Sequence, residues 1–224
     1  MASDDRPPAE WLTGELELYV GGLSKPSKMP GYAYSLPAAE CKTGGRLQSV
    51  EGSTCHKCYA LKGRYAFPNV KAAMYRRLDA ISKPEWVPAM AELIRRRSEK
   101  IGYFRWHDSG DIQSVKHFSD ICDIARQTPK ISHWIPTREY RFVSDFVANG
   151  GDIPDNLNVR FSAHMLGGHV PTFPRLRGIC TVSTVSPDPV AGTYECPSRF
   201  QDNQCGDCRA CWNRSVPAVN YHLH

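Results

Sequence analysis

The 224-residue chain has no run of roughly 18 uncharged apolar residues, so no membrane-spanning helix is expected and no membrane association is read into it. It also lacks a basic start followed by an apolar stretch. Residues 1–10 instead carry Asp4, Asp5 and Glu10, which argues against a secretory leader. These two absences predict a soluble, cytoplasmic protein. No internal repeat or low-complexity tract is present, and Gly and Pro are spread along the chain, so no domain boundary is expected. The reading is a flexible tail over 1–15 and one domain over 16–224. A domain of this size buries roughly 70% of the surface its unfolded chain exposes and needs no crosslink to fold. The nine cysteines therefore call for another explanation, and in a reducing cytoplasm close-set thiols read as metal ligands or redox groups.

The net charge of +5 is unevenly placed. Between Lys62 and Arg105 there are 11 Lys and Arg against 4 Asp and Glu, leaving 17 against 19 for the rest of the chain. Such an excess could meet phosphate, with nucleic acid the obvious partner class. Arg95, Arg96 and Arg97 are consecutive, however, and cannot share one helix face, so solvated helix surface is the competing reading.

Val70, Ala73, Met74, Leu78 and Ile81 keep helical spacing, and Trp86, Ala89, Met90, Leu93 and Ile94 repeat it. Ser82 with Glu85, and Pro84 between them, reads as a capping box dividing the two helices. Strand-like and helix-like runs then alternate: strands at 103–107, 131–135, 159–163 and 179–182, helices around 115–124 and 140–148, and a returning strand at 216–222. This alternation predicts an α/β fold, a partial (β/α)-barrel-like parallel sheet with helices outside and a cysteine-rich C-terminal segment. Polar residues follow each strand: His107, Asp108 and Asp111, then Thr137, Arg138 and Glu139, then Ser162 and His164. In parallel sheets the C-terminal strand ends form the ligand face, so His107, Asp108, Asp111, Arg138 and Glu139 are candidate catalytic residues.

The strongest chemical signal is CGDCRAC at 205–211, preceded by Cys196-Pro197. Thiols at x2 and x2 spacing can wrap one face of a [4Fe-4S] cubane, with a distant Cys-Pro supplying the fourth. Cys41, Cys55 and Cys58 form a second group of three, which would leave one iron of a second cluster open to His56, a substrate, a cofactor or water. Zinc is the inorganic alternative, because Cys55-x2-Cys58 and Cys205-x2-Cys208 could together build a tetrahedral site. That site leaves Cys41, Cys196 and Cys211 without a task. A single cluster drawing thiols from both ends of the chain is the structural alternative. Cys122 and Cys180, on a helix face and in a strand, read as buried inert thiols.

GLSKPSKMPG at 22–31, YSLPA at 34–38 leading to Cys41, CHKCYA at 55–60 and CGDCRACW at 205–212 resemble the phage-encoded gene product 88 family over about residues 16–224. The resemblance implies an actinobacterial phage or prophage origin and a protein of the infected cell's cytoplasm. More distantly, an early three-cysteine loop, βα units and a cysteine-rich C-terminus are similar to radical S-adenosylmethionine enzymes. That likeness implies that Cys41, Cys55 and Cys58 hold a cluster whose open iron takes S-adenosylmethionine, with Ser109, Gly110 and Asp111 as the cofactor-binding segment. The loop departs from that family in having 13 residues between Cys41 and Cys55, in placing Tyr59 after the last cysteine, and in lacking a Gly-Gly-Glu-Pro segment.

Three function classes follow: a redox or radical enzyme built on the cluster, a non-enzymatic iron-sulfur protein binding a host or phage protein or nucleic acid through 62–105, and a zinc-stabilised binding module.

Overall fold

The computed structural model describes residues 6–171 and 173–222. Seven strands form one all-parallel sheet in the order β1-β2-β3-β4-β5-β7-β6. They are β1 (Tyr32–Tyr34), β2 (Tyr103–Trp106), β3 (Ser132–Thr137), β4 (Leu157–Ser162), β5 (Thr181–Ser186), β6 (Tyr194–Glu195) and β7 (Ala218–His222). The helices are α1 (Thr13–Val20), α2 (Lys42–Leu47), α3 (Pro68–Ala80), α4 (Trp86–Ser98), α5 (Val115–Gln127) and α6 (Tyr140–Ala148). Strands β1 to β5 advance steadily in one direction. Right-handed crossovers in such a sheet put the intervening helices on one face and leave the other free, the arrangement of a partial barrel. The α/β single-domain expectation is met.

Alternation along the strands divides the two faces. Phe104, Trp106, Ile135, Leu157 and Val159 join Met90, Leu93, Phe118, Ile121 and Val143 of the helices in the core. The other face presents Tyr103, Arg105, Trp134, Asn158 and Arg160. It is covered by the turn at Ala210–Trp212, where the Trp212 ring meets Tyr103 at 5.4 Å and Trp134 at 5.1 Å. Covered on both sides, β4 is buried at every position.

Helix α5 shows how local sequence sets an element. The Ser114 side chain caps it by accepting from His117 N–H at 3.0 Å, and Phe118, Ile121, Cys122, Ile124 and Ala125 line its buried stripe.

The structure differs from the sequence reading in two places. Arg6 onward is built into the fold: Trp11 is buried, α1 packs on α4, and Arg96 donates to Ala9 O and Trp11 O at 2.9 and 2.8 Å. Residues 1–5 lie outside the described residues. α1 ends at Gly21, whose φ of +82° and approach to Arg77 N, 2.8 Å from where a Cβ would stand, only glycine accommodates. The capping box before α4 does not form, because the helix starts four residues after Ser82, whose hydroxyl bonds back to Asp79 O at 2.9 Å.

Candidate functional site

Two groups of thiols lie outside the helix-side core. Cys41 immediately precedes α2, and the buried Gly44 makes room for it: a Cβ there would stand 3.5 Å from Cys55 Sγ and 3.7 Å from Cys41 Sγ. The Cys55-x2-Cys58 turn closes through Cys58 N–H to Cys55 O at 3.2 Å. Thr54 fastens it to the end of β4, its N–H to His164 O at 2.9 Å and its hydroxyl to Ala163 O at 3.1 Å. Glu139 fixes the start of α2, accepting from Thr43 N–H at 2.6 Å and Thr43 Oγ1 at 2.8 Å.

Asp111 stands beside this triad. Its carboxylate accepts from Thr137 Oγ1 at 2.6 Å, Arg138 N–H at 2.9 Å and Ile112 N–H at 2.8 Å. Burial nevertheless raises it to about 6, with Glu139 adding to the rise against those three hydrogen bonds. Burial, then Asp111, Cys55, Cys58 and Glu139, push the Cys41 thiol well up. Cys55 is also raised by burial, with Arg138 opposing. Arg138 reaches Thr54 Oγ1 at 2.9 Å, and His164, stacked on Tyr140 at 4.6 Å, meets Arg138 O at 3.3 Å.

The second group gathers Cys196, Cys205, Cys208 and Cys211 around β6 and β7. Cys211 Sγ lies 3.1 Å from Tyr221 OH, Cys208 Sγ 3.4 Å from Tyr194 OH, and Cys196 Sγ 3.3 Å from Ser198 Oγ. The backbone is anchored independently of the sulfurs: Cys205 N–H donates to Lys28 O at 2.7 Å, Asn158 to Cys211 O at 2.8 Å, and Arg160 to Ala210 O and Val216 O, both at 3.1 Å. Burial raises Cys211 to about 11 against the Tyr221 hydrogen bond and the Arg160 charge, and burial with Cys196 raises Cys205.

Arg105 stands between the two groups, its guanidinium 4.5 Å over the Trp134 ring. Burial would lower its pKa, but Tyr59, Asp108, Tyr221 and Tyr65 turn the net shift upward. The same guanidinium acts on Cys205 and Cys211. Tyr59 OH donates to Asp108 O at 2.6 Å and Tyr65 OH to Asp108 Oδ2 at 3.0 Å. Asp108, Asp111, Arg138 and Glu139 thus converge near the triad.

His107 does not join them. Its φ of 52° turns the ring into the core beside His117, at 5.5 Å between centroids, and neither ring nitrogen has a hydrogen-bond partner among the described residues. Ser109 and Gly110 are spent on packing: Ser109 Oγ donates to Leu36 O at 2.9 Å, and a Cβ at Gly110 would stand 2.6 Å from Leu36 Cβ. Cys122 and Cys180, raised to about 12 by burial, belong to the core.

The basic run does not act as one surface. Arg77 donates to Gly22 O, Lys83 to Tyr19 O, Arg95 and Arg96 to Glu92, and Arg97 to Glu17, while Arg105 is turned inside. The sequence reading missed Arg105, Arg160, Tyr65, Tyr194 and Tyr221 as site residues. Arg105, Arg160, Tyr194 and Tyr221 are strand residues whose contacts form only when the C-terminal segment folds against the sheet, and Tyr65 is a turn residue that meets Asp108 only in the folded chain.

Among the described residues, no group of three or more His, Cys, Asp or Glu is disposed to hold a metal ion, and no helix is long and apolar enough to cross a membrane. No curated protein and no solved structure matches the chain, and the distant likeness to radical S-adenosylmethionine enzymes gains no support from these comparisons. The sequence profile described as gene product 88 matches residues 11–214, which takes in both cysteine groups and all but the last strand. The chain belongs to the gene product 88 family.

Proposed function

We propose that the protein is an iron-sulfur protein in which Cys196, Cys205, Cys208 and Cys211 hold one [4Fe-4S] cluster and Cys41, Cys55 and Cys58 a second with one iron free of cysteine. The observation that carries this reading is the division of the nine cysteines. Seven fall into a quartet and a triad outside the core, and the remaining two pack in the core.

Donor chemistry supports the fit. All-thiol sets of four and three suit soft iron-sulfur centres. A cubane spreads its thiolates more widely than one ion does, so the absence of a single-ion site is compatible with it. Zinc fits less well, because the two Cys-x2-Cys pairs it would unite belong to separate groups with Arg105 between them.

When bound, such clusters supply one-electron transfer and, at an iron without a thiolate, a position for an outside ligand. The chain's own residues tune and guard the sites. Tyr194 and Tyr221 place hydroxyls against Cys208 and Cys211, and hydrogen bonds to cluster sulfurs tune the reduction potential. Arg105 and Arg138 would offset negative charge in the quartet and the triad, and Asp108 and Asp111 would be the carboxylates to hold a ligand of the open iron.

Anaerobic purification tests the reading. A brown protein with equal iron and acid-labile sulfide is expected, with part of both lost in Cys58→Ala and in Cys208→Ala and none lost in Cys122→Ala. A colourless protein, or equal losses in all three variants, would overturn it. An iron spectrum unchanged by S-adenosylmethionine would remove that cofactor from the reading without touching the clusters.

A further inference from the structure

The 27 residues 52–78 contain no Asp or Glu, where the chain's average would place about three. They hold Lys57, Lys62, Arg64, Lys71 and Arg76, all exposed, and none of the five makes a side-chain hydrogen bond or ion pair among the described residues. This sets them apart from the arginines of α4, which Glu92 and Glu17 neutralise. Between these cations the same segment exposes rings that a core would normally take: Tyr59 is 62% exposed, Phe67 55% and Tyr75 42%, with Leu61 at 39%. The short turns at Tyr59–Leu61 and Gly63–Ala66 pack on one another, and the second packs on α3, so the segment carries its cations and rings along one connected stretch of surface. Two carboxylates touch it. Glu40 accepts from Tyr75 OH at 3.1 Å, and the buried Asp108 accepts from Tyr65 OH through its carboxylate and from Tyr59 OH through its backbone carbonyl.

Interleaved cations and exposed aromatic faces satisfy two demands at once. The cations match a closely charged phosphodiester backbone, and the rings offer stacking surface to unpaired bases. A duplex keeps its bases stacked on each other and would leave the rings unused. We propose that this rim, built from residues 57–76, is a docking surface for single-stranded nucleic acid, lying beside the Cys58 turn.

The binding of labelled 20-nucleotide oligodeoxythymidine, followed by fluorescence anisotropy, tests it against a duplex of equal length and against phosphatidylserine vesicles. Five phosphate contacts give a log–log salt slope of about −3.5 for a single strand, a loss on the order of a hundredfold between 50 and 200 mM salt. The double variant Arg64→Gln/Lys71→Gln should flatten the slope by about 1.4. Phe67→Ala should weaken binding by roughly tenfold with the slope unchanged, since it removes stacking and no charge. Both variants alter exposed side chains, and unchanged thermal melting will show that they fold. Equal affinity for duplex and single strand with Phe67→Ala silent, salt-insensitive binding, or binding to vesicles alone would each overturn the proposal.

Discussion

His133 makes the stability of this fold acid-sensitive in a way that can be worked out from its neighbours. The residue is fully buried on β3, and its Nδ1 accepts from Trp106 Nε1 at 3.2 Å. Its Nε2 lies 2.8 Å from Thr128 Oγ1, whose own proton goes to Ile124 O at 2.8 Å. The threonine oxygen is therefore an acceptor, Nε2 carries the only ring proton, and the imidazole is neutral. A second proton on Nδ1 would face the indole N–H, donor against donor, at a fully buried position. Burial accordingly lowers His133 to about 3 from its usual 6.5. Between those values the unfolded chain binds a proton that the native one refuses, so stability is complete above about pH 6.5 and is lost as pH falls toward 3. The loss is about 1.4 kcal/mol per pH unit, close to 5 kcal/mol over the window. Burial also lowers His117 to about 3, and it lowers His107 well below its usual value. A His133→Gln comparison cancels their contribution, because it changes only one titrating group. Urea unfolding of both proteins between pH 7.5 and pH 4.5 should show the wild-type advantage over His133→Gln shrinking by about 1.4 kcal/mol per unit below pH 6.5. Parallel stability curves would refute the neutral-tautomer argument.

Arg160→Ala removes three donations to backbone carbonyls, those of Val182, Ala210 and Val216, from a fully buried position, and should cost roughly 3 to 5 kcal/mol in urea unfolding. A loss below about 1 kcal/mol would mean that the C-terminal turn is held elsewhere. Gly110→Ala combines a φ of +80° with a Cβ placed 2.6 to 2.8 Å from Leu36, so a loss of about 2 to 4 kcal/mol is expected, read as a lowered thermal midpoint. An unchanged midpoint would reopen Gly110 as a residue kept for a ligand.

The parts of the fold legible in the sequence are those where burial is one-sided. α5 and α6 each carry a single apolar stripe, and the strands between them end in visible polar clusters, so the β2-α5-β3-α6-β4 run follows from periodicity alone. α1 was missed because only Leu16 and Val20 of its eight residues are buried, and β1 because three residues cannot display a period. The candidate site divides in the same way. Thiol spacing is a local property, so both cysteine groups were legible, whereas His107 was misplaced because a left-handed turn cannot be read from its neighbours in sequence. The basic run misled for a related reason: whether a cation is spent on a carbonyl, a carboxylate or solvent is decided by tertiary partners far along the chain.

The least legible feature is the inner face of the sheet, and its chemistry follows from what covers it. Helices bring satisfied backbones to a sheet, and apolar side chains meet them on the outer face. The C-terminal turn is short and irregular, and its carbonyls at Ala210, Cys211 and Val216 have to find donors elsewhere. β4 supplies them from Asn158 and Arg160, and Trp212 returns one donation to Phe104 O at 2.9 Å. Asn158 and Arg160 in a fully buried strand, which look like a break in the hydrophobic pattern, are thus the complement of an irregular segment that must be held without a helix. By fixing that backbone through its carbonyls, the sheet holds the turn without calling on the sulfurs of the quartet, whose own contacts are with the hydroxyls of Tyr221, Tyr194 and Ser198.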